Sequence, residues 1–237
     1  MKHRPSDEPL DPDRIALSVR ASVEAFLHAV HSTIAPEFLE RIEKLAAALV
    51  LWGSKMNLTA HPEDPDEIAF HVIDSLMPAV LARDESSTLE GQFAKGRKIL
   101  DLGSGAGFPG LVLAAAFAAD FTLVESRRKR ASFLQVAVAD MRLNNVTIEG
   151  SRAEEIGLEG QYDLVTARAF GDAADFFALA AKALKPGGLA MLYANPSQRL
   201  SLDLVSASGL VDHKRIAYEV ARRGERIGRI LAVWKRA

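Results

Sequence analysis

The sequence predicts an α/β protein: a parallel sheet with helices on both faces, ending in an antiparallel hairpin and preceded by a helical cap. Three observations lead there. Between residues 98 and 194, short apolar runs alternate with stretches of helical period, the pattern of βαβ units joined by right-handed crossovers. Residues 210–220 and 226–235 instead alternate apolar and polar side chains around Arg222-Arg223-Gly224-Glu225, a hairpin signature. Residues 13–81 carry apolar side chains at helical spacing.

Taken in order, residues 1–12 are polar and proline-bearing and are expected to form a disordered tail. Residues 13–96 form the cap and its connector. Ile15, Val19, Val23, Phe26, Leu27 and Val30 mark one helix; Phe38, Leu39, Ile42, Leu45, Leu49 and Trp52, opened by Pro36, mark a second. Asp64-Pro65-Asp66-Glu67 reads as an N-cap, a first-turn proline and a capping-box acid, opening a third helix to about Leu81. Met56 to Ala60 is a loop, and Arg83 to Gly96 a polar connector. These helices have too few apolar faces to fold alone and should pack against the main domain. That domain spans residues 97–237, with strands expected at 98–102, 121–125, 145–149, 162–167 and 189–194. Helices fall near 109–118, 127–143 and 172–184, and Lys185-Pro186-Gly187-Gly188 reads as a turn.

Composition bounds the function. The chain has 237 residues, 49% hydrophobic and 25% charged, an ordinary globular balance with room for one sizeable core. No apolar stretch is long enough to span a bilayer and no signal-peptide pattern opens the chain, so a cytoplasmic, non-membrane protein is expected. There is no cysteine, which excludes disulfides and thiolate metal sites. Six histidines lie scattered without metal-ligand spacing, so no metal is expected. The net charge of −2 argues against a general nucleic-acid binder, yet it is unevenly spread. Residues 1–96 hold 9 Lys/Arg against 16 Asp/Glu, a balance of −7, whereas residues 213–237 hold 8 against 2, a balance of +6. The basic end reads equally as a docking patch for a polyanion or as a charged edge that resists aggregation.

The chemistry centres on Asp101-Leu102-Gly103-Ser104-Gly105-Ala106-Gly107-Phe108-Pro109-Gly110, between a strand and a helix start. Glycines there permit positive φ and close approach of a ligand to the main chain, and helix-start N–H groups favour electron-rich atoms. A dinucleotide-binding G-x-G-x-x-G would put glycine at 108, where phenylalanine stands. The order D-x-G-x-G-x-G instead resembles the first motif of the class I S-adenosylmethionine (AdoMet) methyltransferases. Glu125 closes the next apolar run, 24 residues after Asp101, where an acid grips a ribose diol in such units.

Three further clusters follow strands. Ser151-Arg152-Ala153-Glu154-Glu155 lies where that fold holds adenine, or is simply a helix-start cap. Arg168, in Ala167-Arg168-Ala169-Phe170, sits at the carboxyl end of the fourth strand and is poorly explained by packing. Arg127-Arg128-Lys129-Arg130 opposes the dipole of its own helix, which suggests an external anion, although charge runs are commonly solvated faces.

The chain is identified as a member of the bacterial small-subunit (16S) rRNA guanine-N7 methyltransferase family, RsmG, formerly GidB. The matching residues are Asn57-Leu58-Thr59, His71, Asp74-Ser75, the run 101–110, Glu125-Ser126, Lys129-Arg130, Phe133-Leu134, Ser151-Arg152-Ala153-Glu154 and Arg168-Ala169-Phe170. Phe70 and Asn195 depart from the family pattern, which usually has an arginine and a lysine there. The resemblance implies methyl transfer from AdoMet, as co-substrate, to guanine N7 of 16S rRNA in the small ribosomal subunit; a monomer is expected, although the sequence itself leaves oligomeric state open. It implies AdoMet contacts at Gly103, Phe108, Ala153, Glu154 and Arg168, beside Gly105 and Glu125 of the loop reading. It also places RNA phosphates on Lys129, Arg130 and the basic hairpin. No catalytic general base is required, and none is assigned. Two alternatives stand beside it: an AdoMet methyltransferase for another substrate, and a non-catalytic relative that binds AdoMet and RNA.

Overall fold

In β1 (Lys98–Leu102) the side chains alternate between two apolar clusters, and that alternation sets the layers of the molecule. Ile99 joins one cluster; Leu100 and Leu102 join the other. The computed structural model describes residues 11–56, 58–82, 89, 91–198, 205 and 207–237. The expected tail, apart from its last two residues, lies outside these, as do Asn57 and part of the 83–96 connector.

The parallel strands after β1 are β2 (Asp120–Val124), β3 (Val146–Glu149), β4 (Tyr162–Arg168) and β5 (Leu184–Ala194). The hairpin is β6 (Leu210–Arg222) and β7 (Glu225–Arg236). The sheet order is β3-β2-β1-β4-β5-β7-β6, with β7 antiparallel to both neighbours, as the sequence pattern predicts. One expectation changes. Lys185 to Gly188 is folded into β5 as a bulge, because Leu184 pairs with Tyr162 while Leu189 pairs with Leu164. Lys185 Nζ donates to Asp163 Oδ2 at 2.9 Å, and Arg97 Nη1 donates to Oδ1 at 3.0 Å, which holds the bulge to the start of β1.

The cap consists of α1 (Pro12–Ala29), α2 (Glu37–Met56) and α3 (Pro65–Leu81). The first helix begins one residue earlier than the periodicity suggests, because Asp11 accepts from the N–H groups of Asp13 and Arg14. The remaining helices are α4 (Gly110–Ala116), α5 (Arg128–Asp140) and α6 (Ala173–Ala183). A single apolar cluster runs from Val19, Ile42, Leu45 and Ile68 of the cap into Leu111 of α4, Phe133 of α5 and Leu231 of β7. The cap thus shares its core with one face of the sheet. Arg41 Nη1 adds a directed bond, donating to Ala115 O at 2.8 Å at the end of α4.

The opposite face is covered by α6, where Phe177 packs edge-on against Trp234 of β7 and Phe176 against Phe177. The Trp234 ring is fully buried, 4.8 Å from that of Phe177, and its Nε1 has no hydrogen-bond partner among the described residues. Trp234→Ala is therefore expected to lower unfolding stability by about 3–5 kcal/mol. Trp234→Phe should cost less than half of that, since it deletes an unpaired N–H as well as area. Urea unfolding of the two variants beside the parent checks the ratio.

Candidate active site

The site lies at the carboxyl ends of β1 and β2. Gly103 takes φ +71, and a Cβ built on it would meet Phe170 Cδ2 at 3.0 Å, so both conformation and space require glycine. The loop folds onto β2 as Gly103 N and Ser104 N donate to Val124 O at 2.9 and 3.0 Å. Gly110 opens α4 directly against Asp101: its N–H donates to Oδ2 at 3.2 Å, and a Cβ there would come within 2.5 Å of that oxygen.

Glu125 is buried at the end of β2 and braces the same loop. Its Oε2 accepts from Gly105 N at 3.0 Å and its Oε1 from Arg127 N at 2.8 Å. Beside it opens a cavity of about 170 Å³, lined by Gly103, Glu125, Ser126, Ala153, Glu154 and Phe170 among others. Four residues named from sequence (Gly103, Glu125, Ala153 and Glu154) thus meet around one space, although they lie on three separate βα connections. The helix-start reading of 151–155 also holds, since Ala153–Glu155 is a 3₁₀ turn with Glu155 accepting from Arg152 N at 3.4 Å. The two readings are compatible because Glu155 closes the turn while Glu154 faces the cavity.

Residues 38–215 match the family described as GidB, rRNA small subunit methyltransferase G. The chain belongs to this family. A protein named ribosomal RNA small subunit methyltransferase G from Sorangium cellulosum is 34% identical over 196 residues, covering 81% of this chain and 78% of the relative. Its namesake in Cupriavidus metallidurans is 31% identical, over 81% and 82% of the two chains. Among solved structures, M. jannaschii TYW2 in complex with AdoMet superposes with TM-score 0.52 at 13% identity, over 71% of this chain and 77% of the other. That likeness shows the class I methyltransferase fold in this rRNA small subunit methyltransferase G family member.

Gly105, Phe108 and Arg168 do not line the glycine-loop cavity: Gly105 is tied to it through Glu125, while Phe108 and Arg168 lie together elsewhere. The Arg168 guanidinium sits 4.9 Å from the Phe108 ring centre, and that ring packs 5.2 Å from His71 of α3. Arg168 Nη1 faces His71 Nδ1 at 3.3 Å and Asp74 Oδ2 at 3.4 Å. The reason is electrostatic: a guanidinium taken out of water is drawn to the fully buried Asp74 carboxylate rather than to the open crevice. Arg168 instead borders a second, smaller cavity, about 80 Å³, which Phe170 also lines.

Asp74 is the centre that sequence reasoning missed as a structural hub. Besides Arg168, it accepts from Tyr218 Oη at 2.7 Å and from Arg229 Nε and Nη2 at 3.3 and 3.2 Å. The signal was present: Glu67, His71 and Asp74 form a polar stripe, at i, i+4 and i+7, on a largely apolar helix. Glu67 is likewise reassigned. Its carboxylate faces His71 Nε2 at 3.6 Å and Arg222 Nη1 at 3.5 Å instead of closing a capping box, and Asp64 alone caps α3 by accepting from Asp66 N. Burial, followed by the positive charges of Arg168, Arg229 and Arg222, pushes His71 down to about 2, so the imidazole is neutral.

The expected RNA contacts divide. Lys129 is exposed in the first turn of α5, and Arg130 Nη1 lies 3.9 Å from where a Gly105 Cβ would stand, over the glycine loop. The basic hairpin is otherwise engaged. Arg222 pairs with Glu67 and lies 5.2 Å from the Phe70 ring centre, Arg223 pairs with Asp64, Arg226 with Glu219 and Arg229 with Asp74. These arginines meet carboxylates of the protein, which weakens the reading of the hairpin as a phosphate platform.

Two outcomes are expected of the buried carboxylates. Asp74→Ala leaves two guanidiniums without their counter-charge and should destabilise the fold by about 3–5 kcal/mol in denaturant unfolding. Asp101 is raised by burial from 3.8 to about 6, and its Oδ1 has no partner among the described residues. A carboxyl raised on folding favours the folded state fully below its unfolded value and loses that contribution as pH rises through about 6. The ligand-free protein should lose stability between pH 4 and pH 6 from this group, and Asp101→Asn should flatten that slope in guanidinium titrations at successive pH values.

Proposed function

We propose that the chain transfers the methyl group of AdoMet to N7 of a guanine in small-subunit (16S) rRNA, in the cytoplasm. The observation that carries this reading is the shared cavity of Gly103, Glu125, Ala153 and Glu154 in a chain of the rRNA small subunit methyltransferase G family. The cradle suits a nucleoside. Glycine at 103 leaves the main chain bare, the Glu125 carboxylate keeps lone pairs beyond its two backbone bonds, and Ala153 presents an apolar wall.

AdoMet supplies a methyl group already activated on a sulfonium. N7 of guanine carries a free lone pair, which forms the new C–N bond as the C–S pair returns to sulfur. No proton leaves before attack, so a general base has no task here. The work of the protein is alignment and exclusion of water. Gly103 forms part of the wall, Glu125 fixes the loop through Gly105 N, and Phe170 lines both of the cavities that would hold donor and acceptor. Lys129 and Arg130 would meet RNA phosphates, contacts that position without reading sequence.

Incubation with tritiated AdoMet and deproteinised small-subunit RNA, with mapping of the labelled base, should give one N7-labelled guanine. Label in a non-RNA acceptor would assign another substrate, and AdoMet and RNA binding without transfer would mark a non-catalytic relative. Gly103→Val, which must displace the Phe170 ring, should weaken AdoMet binding roughly 100-fold in calorimetry. Unchanged affinity removes the loop from the site.

A further inference from the structure

The smaller cavity has a composition that bears on base selection. Arg168, Phe170, Tyr193, Asn195, Gln198 and Arg229 border it at the carboxyl ends of β4 and β5. Both arginines hold partners within the protein. Arg168 Nη1 is held by Asp74 and His71, while Arg229 gives Nε and Nη2 to Asp74 and Nη1 to Asn195 Oδ1. Tyr193 Oη donates to Ser75 O at 2.9 Å.

Asn195 is different. It is exposed, and its backbone is fixed by the turn in which Gln198 N donates to Asn195 O at 2.9 Å. The neighbouring Pro196 packs against β7, where a Gly228 Cβ would stand 3.5 Å from Pro196 Cγ. With Oδ1 taken by Arg229, the amide offers an entering molecule its NH₂, a pure donor.

On the edge that carries N7, guanine and adenine differ at one place: guanine presents the O6 acceptor, adenine the N6 amino donor. An arginine reading that edge bidentately would occupy the N7 lone pair, the very electrons that must attack. A single donor placed at O6 recognises guanine and leaves N7 open. We propose that this cavity seats the target guanine against Phe170, and that Asn195 donates its NH₂ to O6, selecting guanine over adenine. The assignment rests on the function proposed above and adds to it a specificity residue.

Asn195→Ala and Asn195→Asp test it through kcat/KM for small-subunit RNA, with AdoMet affinity measured alongside. Loss of one donor predicts about a 5- to 10-fold fall for Asn195→Ala. Asn195→Asp sets an acceptor against O6 and should fall about 100-fold or more. AdoMet affinity and melting temperature should stay at the parent values in both. The order of the two variants is decisive. If Asn195 merely anchors Arg229, aspartate serves as well or better through an ion pair, so activity of Asn195→Asp at or above that of Asn195→Ala overturns the proposal. A fall in AdoMet affinity also overturns it, by moving Asn195 into the donor cavity. Failure of the parent protein to methylate guanine N7 in that RNA is a separate result, which overturns the proposed function itself.

Discussion

The buried carboxylate of Asp74 is the constraint on which the arrangement of the molecule depends. Isolated, such a group would be too costly to bury as an anion. Here it receives two guanidiniums and a phenol, from the end of β4, from β7 and from β6. Apolar burial holds the cap to the sheet but is non-directional, so it leaves sliding cheap. The bonds to Asp74 are directional and join α3 to both halves of the sheet, parallel and antiparallel. Tyr193, which reaches from β5 to Ser75 O on the same helix, adds another point of registration.

That constraint explains the uneven charge. The surplus of −7 in residues 1–96 and of +6 in residues 213–237 meet in the fold, where Asp64, Glu67 and Asp74 take Arg223, Arg222 and Arg229 of the hairpin. Sequence alone divides the basic end between polyanion binding and edge protection. The structure gives it a third use, clamping the terminal hairpin onto the cap, a task that the planar, multiply donating guanidinium suits better than lysine does. The basic start of α5 is placed differently, beside the glycine loop, with Arg130 reaching toward Gly105.

Local rules govern what is legible in the sequence. The strands, the terminal hairpin and the crossover helices come from period, and the cavity of Gly103, Glu125, Ala153 and Glu154 comes from each lying just past its own strand. Glu67, Arg168 and the hairpin arginines have partners that are not legible in the sequence, for one reason. Their partners lie 94 residues away for Arg168 and Asp74, and 155 for Arg229 and Asp74, whereas capping and patterning rules compare residues within a turn or two. The bulge at 185–188 belongs to the same class, since Lys185 is held by Asp163, 22 residues earlier, on the paired strand. Phe108 illustrates the converse: its place in the loop is legible, but not that its ring turns from the crevice to lie beneath Arg168.

The segment Arg168-Ala169-Phe170 links the cap to the chemistry. Ala169 has φ +52, a left-handed conformation costing on the order of 1 kcal/mol for a residue with a Cβ. It persists because both neighbours are fixed in opposite directions. Arg168 is drawn back to Asp74 and Phe108, while Phe170 is laid over Gly103 and edge-on to Phe176. The position of the ring that borders both cavities therefore depends on a carboxylate in α3. Methyl transfer to a lone pair asks little of a protein except distance and angle, so in the function proposed above a device that fixes this ring would help to set both. The N-terminal helices thus reach the candidate site through Asp74, Arg168 and one left-handed residue, Ala169.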